Sequence, residues 1–463
     1  MKIQIKELGA IKEAKIDLNK PLTLFSGPNN TGKTYMAFII YALTRIKIGK
    51  NPLKISLPQF IENGRFELVI NVDQFFEYRN KTISDLKLNL DTIFGISDEL
   101  AEQIFMDFEI SFETEHETCK EKILMIEFNE VISVSQNKYK LSKVKNSYTV
   151  KLEMFDGEDY SNLLNNDMFE LILTSVIANK IAFYPISNAV IFPVERNSIF
   201  TFSKELSISR NILVDQMQKL SKGENLNPFE FIQNSSNRYP LAIRDGLTVS
   251  NDLLNIQKTK SEFYNVAVEI EESLLNGTLL VNKDGDVQFN SNKNNKKKLL
   301  PIHMTASIVK TLSSLVFYLK YIAETSDLII IDEPEMNLHP DSQIILTRVF
   351  AKLLNRGFRL LISTHSDYII REFNNLIMIS NTNDGVDSLA KEFSYNSTEA
   401  IAPEYVGCYY FNYSKSNAKQ LIVKEMIVDK FGFEVPSIDD AIDKQNKISE
   451  ELFYTIKYGK ANE

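Results

Sequence analysis

The chain has 463 residues, of which 44% are hydrophobic, 24% charged and 11% aromatic, a globular composition with material for more than one core. Sixteen glycines and 13 prolines exclude a low-complexity or collagen-like chain, and two cysteines, Cys119 and Cys408, exclude a disulfide framework or a CxxC metal site. A net charge of −9 argues against wholesale coating of nucleic acid, and with no apolar run of about 18 residues and no signal-peptide core, a soluble cytoplasmic protein without membrane contact is expected.

Along the chain, polar–apolar alternation predicts strands over residues 2–7 and 14–17, then a short apolar strand, Leu22-Thr23-Leu24-Phe25, ending at Gly27. Met36, Phe38, Ile39, Ile40, Ala42 and Leu43 predict a mostly buried helix over 34–46. Residues 51–184 read as an insertion, in which alternating stretches at 108–112, 123–128 and 148–152 predict antiparallel β structure, followed by a helix over 161–180. Residues 203–276 are helical in pattern, with breaks at 223–228 and Pro240, and no heptad persists long enough for coiled-coil arms. Leu279-Leu280-Val281 and Val287-Gln288-Phe289 flank Asn282-Lys283-Asp284-Gly285-Asp286 as a hairpin does. The most basic tract, Lys293-Asn294-Asn295-Lys296-Lys297-Lys298, reads as a solvated loop or as a contact to nucleic-acid phosphates.

A helix over 307–324, a strand over 327–331, a helix over 342–355 and strands over 358–363 and 376–380 follow. Strands alternating with helices predict a parallel sheet covered on both faces. Near the end, Ile442, Ile448, Leu452 and Ile456 form an apolar stripe on a helix capped by Asp439, which is either core or a docking face for a partner.

Three segments carry chemistry. Gly27-Pro28-Asn29-Asn30-Thr31-Gly32-Lys33-Thr34 is a complete GxxxxGK[ST] between a predicted strand and a predicted helix. Glycines let backbone N–H groups approach phosphate oxygens, Lys33 suits the β- and γ-phosphates of ATP, and the Thr34 hydroxyl suits Mg²⁺. Leu328-Ile329-Ile330-Ile331-Asp332-Glu333-Pro334 is an apolar strand that delivers two carboxylates at its C-terminal edge, Asp332 for Mg²⁺ and Glu333 as general base toward water. Leu360-Leu361-Ile362-Ser363-Thr364-His365-Ser366 is another apolar strand, ending in a histidine able to donate to the γ-phosphate.

Together with Glu335, Asn337-Leu338-His339-Pro340 and the opening Glu7-Leu8-Gly9-Ala10-Ile11-Lys12-Glu13-Ala14, these segments resemble ABC-type ATPases of the SMC-like and OLD-like kind. Within that group they are similar to the stand-alone ATPases of bacterial phage-defence systems of the PARIS and Septu types. The resemblance covers the first 45 residues and roughly 300–380. It implies an α/β, ABC-type P-loop NTPase head with a mixed sheet flanked by helices, formed by residues 1–50 and 185–463, with a helical subdomain at 203–276 and a C-terminal extension at 400–463. The stretch 51–184 is then a β-rich insertion. It also implies two ATP molecules held between two heads arranged head to tail, each touching a signature segment of the partner. The matching stretch here, Met304-Thr305-Ala306-Ser307-Ile308-Val309-Lys310, lacks both signature glycines. Ser307 and Lys310 either contact the γ-phosphate across that interface, or Thr305 and Ser307 simply cap a helix. Asn337-Leu338-His339-Pro340 looks like the D-loop, and Phe192-Pro193-Val194-Glu195-Arg196 resembles a Pro-x-x-Arg element whose arginine reaches nucleotide or links lobes. Gln59 is the nearest candidate for a Q-loop.

After His365 the chain carries no counterpart of the Toprim nuclease site of OLD proteins, since Asp439-Asp440 is adjacent rather than alternating. The expectation is an ATP-hydrolysing sensor or regulatory subunit in antiviral defence, working with a separately encoded effector such as a nuclease. The alternatives are a DNA-repair or chromosome-associated ATPase and a non-hydrolysing ATP-dependent scaffold.

Overall fold

The computed structural model describes the whole chain except residues 46–51, 113–115, 135–136, 156–166, 187, 207–238, 292–298, 382, 415–419 and 459–463. The basic tract at 293–298 and much of the expected helical stretch at 203–276 therefore lie outside the described residues.

The chain opens with a hairpin of β1 (Lys2–Leu8) and β2 (Ile11–Asp17), then β3 (Leu22–Ser26), which leads through the glycine-flanked turn into α1 (Lys33–Arg45). The next stretch holds β4 (Arg65–Val69), α2 (Val72–Lys87), β5 (Glu109–Phe112), α3 (His116–Met125), β6 (Phe128–Val134), β7 (Asn137–Lys143), β8 (Thr149–Met154) and α4 (Asp167–Ala182). β9 (Ala189–Phe192), α5 (Arg196–Leu206) and α6 (Leu241–Asn251) follow, then a small antiparallel sheet of β10 (Gly277–Val281), β11 (Val287–Ser291) and β12 (Leu299–Pro301). The chain ends with α7 (Ser307–Tyr321), β13 (Leu328–Asp332), α8 (Pro340–Asn355), β14 (Arg359–Thr364), α9 (Asp367–Met378), β15 (Val406–Tyr413), β16 (Leu421–Met426) and α10 (Pro436–Tyr458).

Nine strands form the main sheet, in the order β5-β1-β2-β16-β15-β3-β14-β13-β9. From β15 to β9 every neighbouring pair is parallel, whereas β5, β1 and β2 pair antiparallel at the far edge. The central strands are buried throughout because both faces are covered, and side chains alternate between two cores. Ile330 and Leu361 pack with Phe25 and with Met36 and Ile39 of α1. Ile329, Ile331, Leu360 and Ile362 face the other way, against Leu315 and Leu319 of α7 and Val349 and Leu353 of α8. This is the mixed sheet flanked by helices expected from the motifs. Both cysteines are buried and free, and no described helix is long and apolar enough to cross a membrane.

The region 51–184 contributes in two ways. β4, β8, β7 and β6 make a separate antiparallel sheet, while β5 pairs with β1 and extends the main one. The strand expected over 123–128 is instead the end of α3, with β6 beginning only at Phe128. The strand expected over 376–380 is likewise the last turn of α9. Ser366 caps that helix, accepting from the Ile369 N–H, and Ile369, Ile370, Phe373, Leu376 and Ile377 recur at helical spacing on its buried face. A β-like composition over five residues lost to a capped amphipathic helix that began nine residues earlier. Asp439 is not the cap of α10: that helix starts at Pro436, and the Asp439 carboxylate accepts from the Val435 N–H within its first turn. The stripe on α10 is exposed at Ile448, Leu452 and Ile456.

Candidate functional site

β3 ends at Ser26, and the turn that follows leaves ordinary backbone space at once. Gly27 has φ +134°, Asn30 +62° and Gly32 +78°. A Cβ added at Gly27 would stand 2.1 Å from the carbonyl oxygen of Phe411 in β15, so only glycine fits there. The turn then closes on α1, whose first backbone bond runs from the Met36 N–H to the Gly32 carbonyl. Thr31 donates to the Pro28 carbonyl at 2.8 Å, and the Tyr413 hydroxyl of β15 donates to the Asn30 carbonyl at 2.9 Å. Lys33 is buried, and its ammonium bonds to the carbonyls of Gly27 at 2.9 Å and Pro28 at 2.8 Å. Burial pulls its pKa down, while Asp332, Glu333 and Glu335 pull it up. Asn29 and Asn30 are exposed at the mouth of the turn.

The second half of the site comes from β13 and β14, which run parallel beside β3. Their C-terminal ends therefore sit level with the end of β3, where the turn begins. The Thr34 hydroxyl donates to Asp332 Oδ2 at 2.7 Å across 298 residues of sequence, and the Ser363 hydroxyl donates to Asp332 Oδ1. Glu333 follows in the left-handed region, φ +48°, an uncommon conformation for a non-glycine residue. What holds it is visible: its N–H bonds to the Ser363 carbonyl at 3.0 Å, and Arg196 donates to the carbonyls of Asp332 and Glu333, both at 2.6 Å. Arg196 is 3% exposed, and burial pulls its pKa down to about 10 despite the carboxylates around it. Burial likewise holds the Glu333 carboxyl above its ordinary range; His365 opposes this, and Asp332 and Glu335 reinforce it.

His365 follows directly on β14, with Nδ1 3.8 Å from Glu333 and 3.3 Å from Glu335. Glu335 orients it: its Oε1 accepts from the His365 N–H and from the Thr364 hydroxyl, each at 2.8 Å. Thus Lys33, Thr34, Asp332, Glu333 and His365 converge on one mouth, with Gly27 to Gly32 forming its floor. Ser307 is not brought in. It lies exposed in the first turn of α7, and among the described residues it bonds to neither the turn nor the acidic pair. It does not cap α7 either, because Ala306 is the cap residue, and Thr305 donates instead to the Ile302 carbonyl. Asn337, at φ +62°, reaches the Thr311 hydroxyl of α7 at 3.4 Å, while Leu338 is buried and His339 exposed. Gln59 sits exposed on a short helix, Leu57–Asn63, and among the described residues it makes no hydrogen bond to the mouth.

Sequence reasoning overlooked three supports. Ser363 was visible only as part of a strand, Glu335 only as a letter in a motif, and Tyr413 not at all, because its partner lies 383 positions away. Arg196 is expected to reach nucleotide or to link lobes; its hydrogen bonds go to the Pro193 carbonyl and to the backbone that carries the acidic pair.

One substitution tests the floor. Gly27→Ala forces an unfavourable backbone, costing about 1–2 kcal/mol by itself, and drives a methyl group into Phe411. The expected result is at least about a tenfold loss of nucleotide affinity, read by titration with a fluorescent ATP analogue.

Among known proteins, residues 1–370 match the family described as an AAA ATPase domain. No curated protein matches the chain. Among solved structures, an SMC head bound to the C-winged helix domain of ScpA is similar at 12% identity and a TM-score of 0.34, with 93% of this chain and 98% of that one covered. So loose a likeness carries no argument about function. The match leaves β15, β16 and α10 beyond its end, although β15 supplies both Phe411 and Tyr413 to the turn.

Proposed function

Because the chain belongs to the AAA ATPase domain family, we propose that it binds ATP with Mg²⁺ and hydrolyses it at this mouth, in the manner of ABC-type heads. The observation that carries the reading is the 2.7 Å bond between Thr34 and Asp332. A hydroxyl and a carboxylate 298 positions apart in the chain, brought together at the C-terminal ends of β3 and β13, offer the hard oxygen ligands that Mg²⁺ prefers. The glycine-only floor and the three carboxylates around Lys33 fit a bound metal triphosphate. Thr34 and Asp332 would hold Mg²⁺, which supplies charge neutralisation on the phosphate oxygens.

The chain's own groups do the rest. Lys33 exchanges its two backbone carbonyls for phosphate oxygens. Glu333 takes the proton of the attacking water, helped by a carboxyl that burial makes more basic. His365, fixed by Glu335, donates toward the γ-phosphate. Lys33→Ala removes a charge-assisted contact of about 1.5–3 kcal/mol, so ATP affinity is expected to fall about 10- to 100-fold by calorimetry. Unchanged binding overturns the site.

The finer reading is a head-to-tail dimer in which Ser307 and Lys310 of one copy approach the nucleotide of the other. The exposure of Ser307 supports it, since among the described residues it bonds to neither the turn nor the acidic pair of its own chain. We read residues 1–50 and 185–463 as the head and 51–184 as an insertion upon it. The motif resemblance supports a role as a nucleotide-gated sensor in antiviral defence, with a separate effector. An SMC-like role on DNA predicts duplex binding that weakens steeply with salt, and measuring binding at two salt concentrations separates the two.

A further inference from the structure

A cavity of about 280 Å³ lies away from the phosphate-binding mouth, between α2, α3, the end of α4 and the edge of the β1–β2 hairpin. Most of its wall is apolar, with Phe75, Ile123 and Ile181 contributing, and two cations from different helices face it, Arg79 of α2 and Lys122 of α3. Arg79 is the unusual member. It is 7% exposed, and among the described residues no carboxylate lies within ion-pair distance of it. One guanidinium nitrogen lies 3.6 Å from the Cys119 sulfur, the planar group sits 4.1 Å over the Phe112 ring, and among the described residues Nε has no partner.

Buried guanidinium groups are almost always paired, because removing such a charge from water costs several kcal/mol. A weak sulfur contact and a ring face do not replace a carboxylate. Lys122 brings a second positive charge: burial pulls its pKa down first and the Arg79 charge adds to that, while Cys119 and Asp17 oppose it. An anion in the cavity would satisfy Nε and lie between the two cations, while its carbon skeleton covered the apolar wall. The volume of about 280 Å³ lies just below the range of about 300–1,000 Å³ usual for organic ligands, which restricts the occupant to a small molecule.

We propose that this cavity binds a small organic anion, a single apolar ring or short chain carrying one carboxylate or phosphate that pairs with Arg79. This site is independent of the ATPase assignment. Titration calorimetry on the full chain with benzoate, phenyl phosphate and benzyl alcohol tests it. One or both anions should bind, with the neutral alcohol at least about tenfold weaker. Preference between benzoate and phenyl phosphate then tells a carboxylate ligand from a phosphorylated one. Arg79→Gln should weaken the anion by about tenfold or more. Ala182→Phe, which fills the cavity and leaves Arg79 in place, should abolish binding while the circular dichroism spectrum and ATP binding stay unchanged. The proposal is overturned if neither anion binds at millimolar concentration, if the alcohol binds as well as they do, or if binding survives Ala182→Phe.

Discussion

Glu333→Gln is expected to cut steady-state ATP turnover by about 10²- to 10⁴-fold, the usual worth of a positioned base, while ATP still binds. The substitution is nearly isosteric, and the left-handed backbone beneath it is held by groups it does not touch, the Ser363 carbonyl and the Arg196 guanidinium. Asp332, Thr34 and Lys33 keep their partners, so the loss falls on kcat rather than on nucleotide affinity. If heads close around ATP and open on hydrolysis, the variant also accumulates as an ATP-dependent oligomer, visible by light scattering. Phosphate release at the wild-type rate removes Glu333 from the role of base.

The second large effect is expected at Arg196. Its guanidinium spans two successive carbonyls and also reaches the Pro193 carbonyl at 3.0 Å, a planar fork that an ammonium cannot reproduce. Arg196→Lys keeps the charge and leaves at least one buried carbonyl unpaired, costing about 1–3 kcal/mol. Glu333 is then free to relax out of its strained conformation. Misplacing a reacting group by about 1 Å costs on the order of 100-fold in rate, so kcat should fall by about that factor while KM for ATP changes little. A merely structural arginine would lower the melting temperature without separating kcat from KM. A variant with reduced Tm and normal kcat refutes the positioning role.

The parts of the site that were legible in the sequence are those whose chemistry is contiguous. The turn from Gly27 to Thr34 reports itself because its glycines, lysine and threonine recur at one fixed spacing, and Asp332-Glu333 because an apolar run immediately precedes it. Arg196, Glu335 and Ser363 act across strands, on backbone or side chains that only the sheet order brings near, so their partners could not be inferred from neighbours in the chain. The strand expected at 376–380 failed for a related reason: four consecutive apolar residues fit either period, and the cap at Ser366 decides between them. The hairpin at 279–289 succeeded because its turn residues, Asn282 to Gly285, impose their own geometry, with Asn282 accepting from the N–H groups of Asp284 and Asp286.

The wedge of β15 and β16 between β2 and β3 has a consequence for synthesis. The strand that delivers the glycine-flanked turn borders residues made almost four hundred positions later. While the ribosome is still translating the intervening segments, β3 has a raw edge on that side, and its floor against Phe411 does not exist. Such long-range pairing is slow and leaves unpaired strands open to aggregation. Nucleotide binding should therefore arise late and all at once, when residues 406–413 leave the exit tunnel, and nascent chains stalled before that point should retain no ATP.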